Sequence, residues 1–426
     1  MNVIDIIKTK RDGGELTEDQ ISWFITEFSQ GGSIPDEQAA ALAMAIYFQG
    51  MERKELSSWN KAMVDSGATL DLSQVGRRTV DKHSTGGVGD KVSLVLVPLI
   101  AACGPAVPQL SGRALGHGGG TLDKMEAIPG WRASLSNEEM VTQLRELGGM
   151  IAAATSDLNP ADRRLYQLRD VTSTIDSIPL IASSIISKKV AEGTEALVLD
   201  VKTGAGAFMK EVDQARLLAE TMVQLGEDSG VRTVALITGM ENVLGRAAGN
   251  ALEVVEAIDI LEGNGPEDVV EVTLALAREM LDLVDVDIDP AEMLASGEPR
   301  EIFERMVIAQ GGDLANGLPV AKHQQELNAS SSGYLNRLDC YSVGVAAWRL
   351  GAGRAKKEDS VSPTAGVVCL AKPGEYVEAG QPLLELHCDE PDKFDFALNA
   401  LEDAIDIDDQ PSELFPLIVD RIASKT

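Results

Sequence analysis

Apolar residues recur at helical spacing through the first 66 residues and predict four helices there. Gly31 and Gly32 interrupt the pattern, and Pro35 stands at the start of a helix. From Thr79 to about Leu261, short apolar runs alternate with longer amphipathic stretches. This alternation predicts an α/β fold with a mostly parallel sheet covered by helices.

The same pattern continues into the second half of the chain. Strands predicted at residues 196–201 and 233–237 flank a helix predicted over 212–228, and further helices are expected up to Gln310. Beyond residue 331, two β-like runs separated by a Pro-Gly turn predict a small antiparallel sheet with a closing helix. We therefore expect a small C-terminal α+β subdomain after the α/β part.

The segment 81–90, Asp-Lys-His-Ser-Thr-Gly-Gly-Val-Gly-Asp, is the most informative in the chain. Thr79 and Val80 can end a strand and residues 92–103 can begin a helix, which places the glycines in a strand-to-helix turn. Such a turn binds anions, because glycine lets backbone N–H groups approach a ligand and the following helix adds partial positive charge. Neither a Walker pattern nor a dinucleotide fingerprint is present, and a turn that binds nothing is the alternative.

A second glycine-rich loop, residues 111–124, follows a short strand predicted at 106–110. Two such loops at the carboxyl edge of one sheet would form a cleft for a small anion. Two of the four histidines, His83 and His117, lie in these loops, which favours a functional role. A purely structural role is the alternative for His117.

A third group of polar residues lies on predicted helices. Arg169 belongs to a charged stretch that precedes a helix expected from Pro179 to near Gly193. This helix places Ser184 and Lys188, four residues apart, on one face. The pair indicates contact with a polar ligand, with plain solvation of the lysine as the alternative.

Together these motifs resemble those of the thymidine phosphorylase and pyrimidine-nucleoside phosphorylase family. The similarity covers essentially the whole chain, from residues 8–13 to 351–354, and its longest motifs are residues 81–90, 111–124, 160–189 and 199–208. The resemblance implies a pentosyltransferase in which inorganic phosphate cleaves thymidine and related pyrimidine deoxynucleosides reversibly, to free base and 2-deoxyribose 1-phosphate. A broad enzyme that also accepts uridine is the alternative. A phosphoribosyltransferase and a non-catalytic nucleoside-binding protein are less favoured.

The resemblance also implies which side chains hold the substrates. Phosphate would be bound by Lys82, Ser84, Ser93, Ser111 and Thr121. The base would be bound by His83, Leu115, Arg169, Ser184, Lys188 and Phe208, of which His83, Arg169 and Lys188 would be catalytic. Donors aimed at the ring stabilise the negative charge of the leaving base, and His83 has the best claim to act as general acid because histidine titrates near neutrality. Core packing is the alternative for Leu115 and Phe208.

Several loop positions depart from the family's usual residues, namely Gln109, Ala114 and Gly118. The departure at Lys91 matters more. Related bacterial enzymes have a threonine there and bind a monovalent cation through positions matching Gly89, Leu244, Ala247 and Glu256. We expect the ammonium of Lys91 to take the place of that cation, so that no metal is expected and a potassium requirement is doubtful. A Lys91 that faces solvent is the alternative.

Composition limits the other classes of function. Acidic residues outnumber basic ones by 67 to 37, and the resulting net charge of −30 argues against nucleic-acid binding. The N-terminus has no signal-peptide core and no apolar run reaches transmembrane length, so we expect a cytoplasmic protein that does not bind membranes. The four cysteines show no metal-ligand spacing and are expected to be reduced.

The resemblance implies a division into lobes. Residues 1–66 and 160–193 would form an all-helical lobe on the base side, residues 77–153 and 194–330 an α/β lobe on the phosphate side, and residues 331–426 the C-terminal subdomain. Hinges near 60–76 and 154–160 and after Gly193 would close the lobes and exclude water. The helical lobe would form the contact surface of a homodimer.

Overall fold

A computed structural model describes residues 1–29, 31–114, 116–356 and 358–424. Four helices begin the chain, as the apolar spacing predicts: α1 (Val3–Arg11), α2 (Glu18–Ser29), α3 (Asp36–Gln49) and α4 (Arg53–Asp65). The middle alternates strands and helices: β1 (Val80–Ser84), α5 (Val92–Ala102), β2 (Val107–Ser111), α6 (Thr121–Met125), α7 (Asn137–Leu147), β3 (Gly149–Ala153), α8 (Pro160–Val171), α9 (Ile178–Ala191), β4 (Ala196–Thr203), α10 (Val212–Asp228), β5 (Arg232–Gly239), β6 (Ala247–Gly249) and α11 (Asn250–Leu261). The remainder contains α12 (Glu267–Leu283), α13 (Pro290–Ala295), α14 (Glu298–Ala309), β7 (His323–Asn328), β8 (Gly333–Leu338), α15 (Cys340–Ala347) continued by a π-helical turn (Trp348–Ala352), β9 (Gly366–Cys369), β10 (Tyr376–Val377), β11 (Pro382–Cys388), α16 (Lys393–Leu398), β12 (Ile405–Asp408) and β13 (Ile418–Ala423).

The central sheet is mostly parallel, which confirms the predicted α/β fold. Its strands lie in the order β1-β4-β5-β13, and only β13 is antiparallel to its neighbour. A second parallel pair, β2 and β3, adjoins β1 through a bridge between Thr79 and Ala106. Apart from Ser93, helix α5 is apolar around its whole circumference, and its residues 92–101 are all buried.

The strand before the first glycine turn lies later in the chain than predicted. The sequence pattern places its end at Val80, whereas β1 begins there and runs to Ser84. Asp81 and Lys82 are polar, yet both are buried in this strand, because Asp81 pairs with Lys189 at 2.6 Å and Lys82 donates to Ser93. Partners from distant parts of the chain therefore compensate for a strand that looks too polar to be buried.

Helices α8 and α9 return to the N-terminal helices. Phe24, Phe28 and Trp59 form one apolar cluster with Leu165 of α8 and Leu180 of α9. The helical part thus combines two separate stretches of sequence. It provides the scaffold on which Ser184 and Lys188 are carried.

The C-terminal part contains two small antiparallel sheets, where the sequence predicts one, with strand orders β10-β8-β12 and β6-β9-β11-β7. The two predicted runs correspond to β9 and β11, which pair antiparallel. Strands β6 and β7 precede residue 331, while β13 follows it and pairs with β5 of the central sheet. Pairing therefore crosses the domain boundaries drawn from the sequence, which stay a prediction. The four cysteines are free and buried, and among the residues that the structure describes no helix could span a membrane.

Candidate active site

Both glycine loops leave the same edge of the sheet. The amide of Val80 donates to the carbonyl of Ala106, and the parallel bridge beside it makes β1 and β2 run side by side in one direction. Ser84 ends β1 and Ser111 ends β2 at the carboxyl edge. Gly89 adopts a φ of 78°, and a Cβ there would lie 2.5 Å from the carbonyl oxygen of Leu244. Only glycine fits this close approach without strain.

Lys82 is the buried cation of the first loop. Its Nζ donates to Ser93 Oγ at 3.3 Å and lies 3.7 Å from the carboxylate of Asp200. Asp200 also contacts the ammonium of Lys202 at 2.8 Å, and all three charged side chains are essentially without exposure. Because β4 pairs Asp200 with Ser84, the face of the sheet below the loop carries a row of alternating charges.

Sequence reasoning missed Asp200 and Lys202. The available signal was the presence of charged residues two apart in an otherwise apolar strand, which puts both on one face. Burial opposes the charge on Lys202, but Asp200 and Asp90 outweigh it and raise the pKa of Lys202. The positive charge below the first glycine loop is therefore retained at neutral pH.

Asp90, at the end of the first loop, accepts a short hydrogen bond of 2.5 Å from Ser84 Oγ. Burial opposes the negative charge of Asp90, but Lys82, Lys202 and Lys124 together hold the pKa of its carboxyl far below the usual range. Ser84 also accepts the amide of Gly86. The proton of the Ser84 hydroxyl thus points to Asp90 in this structure, and the hydroxyl must rotate to donate to another anion.

The second loop is fastened at both ends. Ser111 and Thr121, which end β2 and begin α6, are half-buried. Asp123 accepts from the amide of Ala114 at 3.0 Å and from Arg354 at 2.7 Å. The loop therefore depends on the C-terminal part of the chain for its shape. The predicted base contact Leu115 lies outside the described residues.

On the helical part, Lys188 stands among polar partners. Its Nζ donates to Ser184 Oγ at 3.2 Å, as the spacing predicts, and lies 3.1 Å from the carboxylate of Asp162. The ring of Tyr166 lies 5.8 Å from the same ammonium. Asp162 is buried and is a residue whose role the sequence did not reveal. It fixes the direction of the lysine side chain.

Arg169 is fully buried, and its guanidinium donates to three main-chain carbonyls, those of Thr174, Ile175 and Leu180. Burial lowers the pKa of Arg169, which nonetheless stays charged because it starts so high. In this structure the side chain braces the connection between α8 and α9. Its contact with a base stays a prediction, as does that of Phe208, which is 47% exposed.

His83 is affected by charges from both the first loop and α9. Its ring is half-buried, and burial, followed by the charges of Lys189, Lys188 and Lys82, lowers the pKa of His83 well below its ordinary value. The imidazole is therefore neutral at pH 7 and offers one N–H donor. His117, by contrast, contacts the ring of Tyr341 edge-on at 4.6 Å, and burial lowers its pKa too.

Lys91 is completely buried. Its Nζ lies 2.5 Å from Glu256, 2.6 Å from the carbonyl of Leu244 and 3.1 Å from that of Ala247. Burial opposes its charge, but Glu256 and Glu253 prevail and raise the pKa of Lys91. These contacts rule out a solvent-facing lysine. Whether the protein needs potassium stays a prediction.

Comparison with protein-family models gives three consecutive matches. Residues 4–67 match the helical bundle domain of a glycosyl transferase family, and residues 76–294 match the α/β domain of that family. Residues 334–408 match the pyrimidine nucleoside phosphorylase C-terminal domain.

Curated relatives match along the whole chain. Thymidine phosphorylase of Mycobacterium tuberculosis is 53% identical over 98% of this chain and 97% of its own length. The pyrimidine-nucleoside phosphorylases of Staphylococcus haemolyticus and Geobacillus stearothermophilus are 44% and 43% identical, over 100% and 99% of this chain and the whole of their own. Among solved structures, anthranilate phosphoribosyltransferase from Thermus thermophilus aligns with a TM-score of 0.58 over 73% of this chain and 99% of its own, at 19% identity. At that identity the likeness shows a shared fold and nothing more.

Proposed function

Because this chain belongs to the thymidine phosphorylase and pyrimidine-nucleoside phosphorylase family, we propose that it catalyses the reversible phosphorolysis of thymidine and related pyrimidine deoxynucleosides. Inorganic phosphate is the co-substrate. The observation that carries the proposal is that two cations each bond to a hydroxyl, Lys82 to Ser93 beside the first loop and Lys188 to Ser184 on α9. Such a site has separate places for an anion and for a polar ring.

Phosphate binds to Lys82, Ser84, Ser93, Ser111 and Thr121 in this proposal. The Lys82 ammonium already bonds to Ser93, which supports their action on one anion. A dianion would compete with Asp90 for the hydroxyl of Ser84, and rotation of that hydroxyl completes the site. The backbone amides of the glycine turn add further donors.

The base binds to the residues of α8 and α9 in this proposal, with Arg169, Ser184 and Lys188 as donors. As the bond between C1′ and the ring nitrogen breaks, its electron pair passes to the base and a phosphate oxygen bonds to C1′. Donors aimed at the ring oxygens stabilise the charge that develops in this step. The neutral His83 contributes an N–H donor and leaves the cationic role to Lys188. Leu115 and Phe208 are proposed as the apolar wall.

We propose further that Lys91 replaces a monovalent cation, so that activity does not require potassium. Its ammonium is the counter-charge of buried Glu256 and also donates to the carbonyls of Leu244 and Ala247. We also propose a cytoplasmic homodimer that joins through the helical part and closes its lobes on the substrates.

The experiment that tests the function is base release from thymidine, deoxyuridine, uridine and cytidine, each with and without inorganic phosphate, with chromatography of base and sugar phosphate. Phosphate-dependent cleavage confined to deoxynucleosides supports a thymidine phosphorylase. Equal turnover of uridine favours the broader specificity, which the names of the staphylococcal and Geobacillus relatives suggest. Absence of phosphate-dependent cleavage of all four would contradict the proposal.

A further inference from the structure

Helix α11 holds both glycine loops through two carboxylates. Glu253 and Glu256 lie about one turn apart on this helix, and each contacts a buried lysine. Glu256 holds Lys91, which directly follows the first loop, whereas Glu253 holds Lys124 at the end of the second loop. One rigid element therefore contacts the ends of two loops that are separate in sequence.

The contact of Lys124 joins the loops to each other. Its Nζ lies 2.7 Å from the carboxylate of Glu253 and donates to the main-chain carbonyl of Asp90 at 2.5 Å. Lys124 is on α6, three residues after Thr121, while Asp90 holds Ser84 through its side chain. A fully buried ammonium thus connects the helix that begins at Thr121 to the residue that bonds Ser84.

Glu253 is itself fixed. Its Oε1 accepts from the amide of Gly249 at 3.0 Å, which is the residue just before α11. Glu253 and Lys124 have 2% and 0% side-chain exposure, so solvent does not screen their interaction. The place of the ammonium is therefore determined by the start of a helix that lies outside both loops.

We propose that Lys124 and Glu253 are positioning residues that set the distance between Thr121 and Ser84, and thereby the affinity for phosphate. The inference rests on the proposed function. Both hydroxyls must reach one small anion at the same time, and a displacement of either loop by about an ångström is enough to weaken binding substantially. Of the proposed nucleoside contacts, Arg169, Ser184 and Lys188 lie on the helical part, away from this link. Binding of phosphate should therefore depend on the link more than binding of the nucleoside does.

The test compares Glu253→Gln with Asp259→Asn, the same change from carboxylate to amide at an exposed position of the same helix. Steady-state kinetics of phosphate-dependent thymidine cleavage gives the KM for each substrate. We expect Glu253→Gln to raise the KM for phosphate about tenfold or more and the KM for thymidine by a clearly smaller factor. Asp259→Asn is expected to leave both values unchanged.

A second variant distinguishes a change in the position of the loops from a general loss of stability. Glu253→Gln leaves a buried ammonium without its counter-charge and destabilises the protein, whereas Glu253→Gln combined with Lys124→Met removes both charges and restores much of the stability. Positioning predicts that the KM for phosphate stays raised in this double variant although its thermal midpoint recovers. If that KM recovers together with the stability, or if the two KM values rise equally, the inference is wrong. A wild-type protein without phosphate-dependent activity would instead contradict the proposed function.

Discussion

The carboxylate of Asp162 lies 3.1 Å from the ammonium of Lys188, and the two belong to different helices. Asp162 is in the first turn of α8 and is buried. Lys188 is in the last turn of α9, and its side chain is 41% exposed. The aspartate consequently gives a long, flexible side chain one preferred direction. This contact also supplies a counter-charge to the lysine. In the proposed site, the ammonium of Lys188 would interact with both Asp162 and the bound base.

Replacement of Asp162 by Asn should therefore impair use of the nucleoside. The amide keeps the size of the side chain but loses the charge-assisted hydrogen bond, and we expect kcat/KM for thymidine to fall about tenfold. The KM for phosphate should change little. Asp213→Asn, at an exposed position on α10, is the control. Equal losses with respect to both substrates would show a general structural defect instead.

Lys91→Thr should make the protein sensitive to the choice of monovalent cation. The substitution leaves Glu256 and the carbonyls of Leu244 and Ala247 around a space without positive charge, where potassium would be stabilised. We expect the wild type to have the same activity and thermal midpoint in sodium and potassium chloride. The variant should lose activity in sodium and regain it in potassium. Wild-type activity that depends on potassium would refute the idea of a built-in replacement.

The protonation of His83 should be visible in the pH dependence of stability. Burial and three lysines lower its pKa, so the folded state binds this proton less readily than the unfolded chain does. The stability from neutral His83 is complete above the ordinary histidine pKa and is lost as the pH falls below it. Wild type should therefore lose more stability than His83→Asn between about pH 7 and about pH 5. Urea unfolding of both proteins measures the difference, and a difference independent of pH would contradict this.

Lys202→Met should be severely destabilising. It leaves Asp200 buried with Lys82 as its nearest remaining cation at 3.7 Å, and loss of one partner of such a buried pair costs roughly 3–5 kcal/mol of unfolding free energy. The double change Asp200→Asn with Lys202→Met should recover most of it. Lys61→Met, which removes an exposed ion pair, should cost less than about 1 kcal/mol. A mild effect of Lys202→Met would show that water reaches this charge row.

The sequence predicts those parts of the fold that depend on local patterns. Helix α10 begins and ends where its amphipathic period indicates, at Val212 and Asp228. The polar strand β1 escaped this reasoning, because its stability depends on Lys189, which lies 108 residues beyond Asp81. Local periodicity contains no information about such a partner.

The site was accessible from the sequence to different degrees. The link between Ser184 and Lys188 follows from helical geometry alone. The contact between Lys91 and Glu256 spans 165 residues and could be expected only from the resemblance to a family. Asp162 was overlooked because nothing in its own segment indicates that it meets a side chain on the next helix.

The last strand, β13, completes the central sheet by pairing with β5, and the amide of Gly239 at the end of β5 donates to the carbonyl of Leu417. Because synthesis proceeds from the N-terminus, β5 is made well before β13, the strand that covers its edge. The β5 edge of a nascent chain is then bare, with unpaired amides and carbonyls that can recruit a strand from another nascent chain. The edge of the central sheet is therefore protected only after β13 has been made.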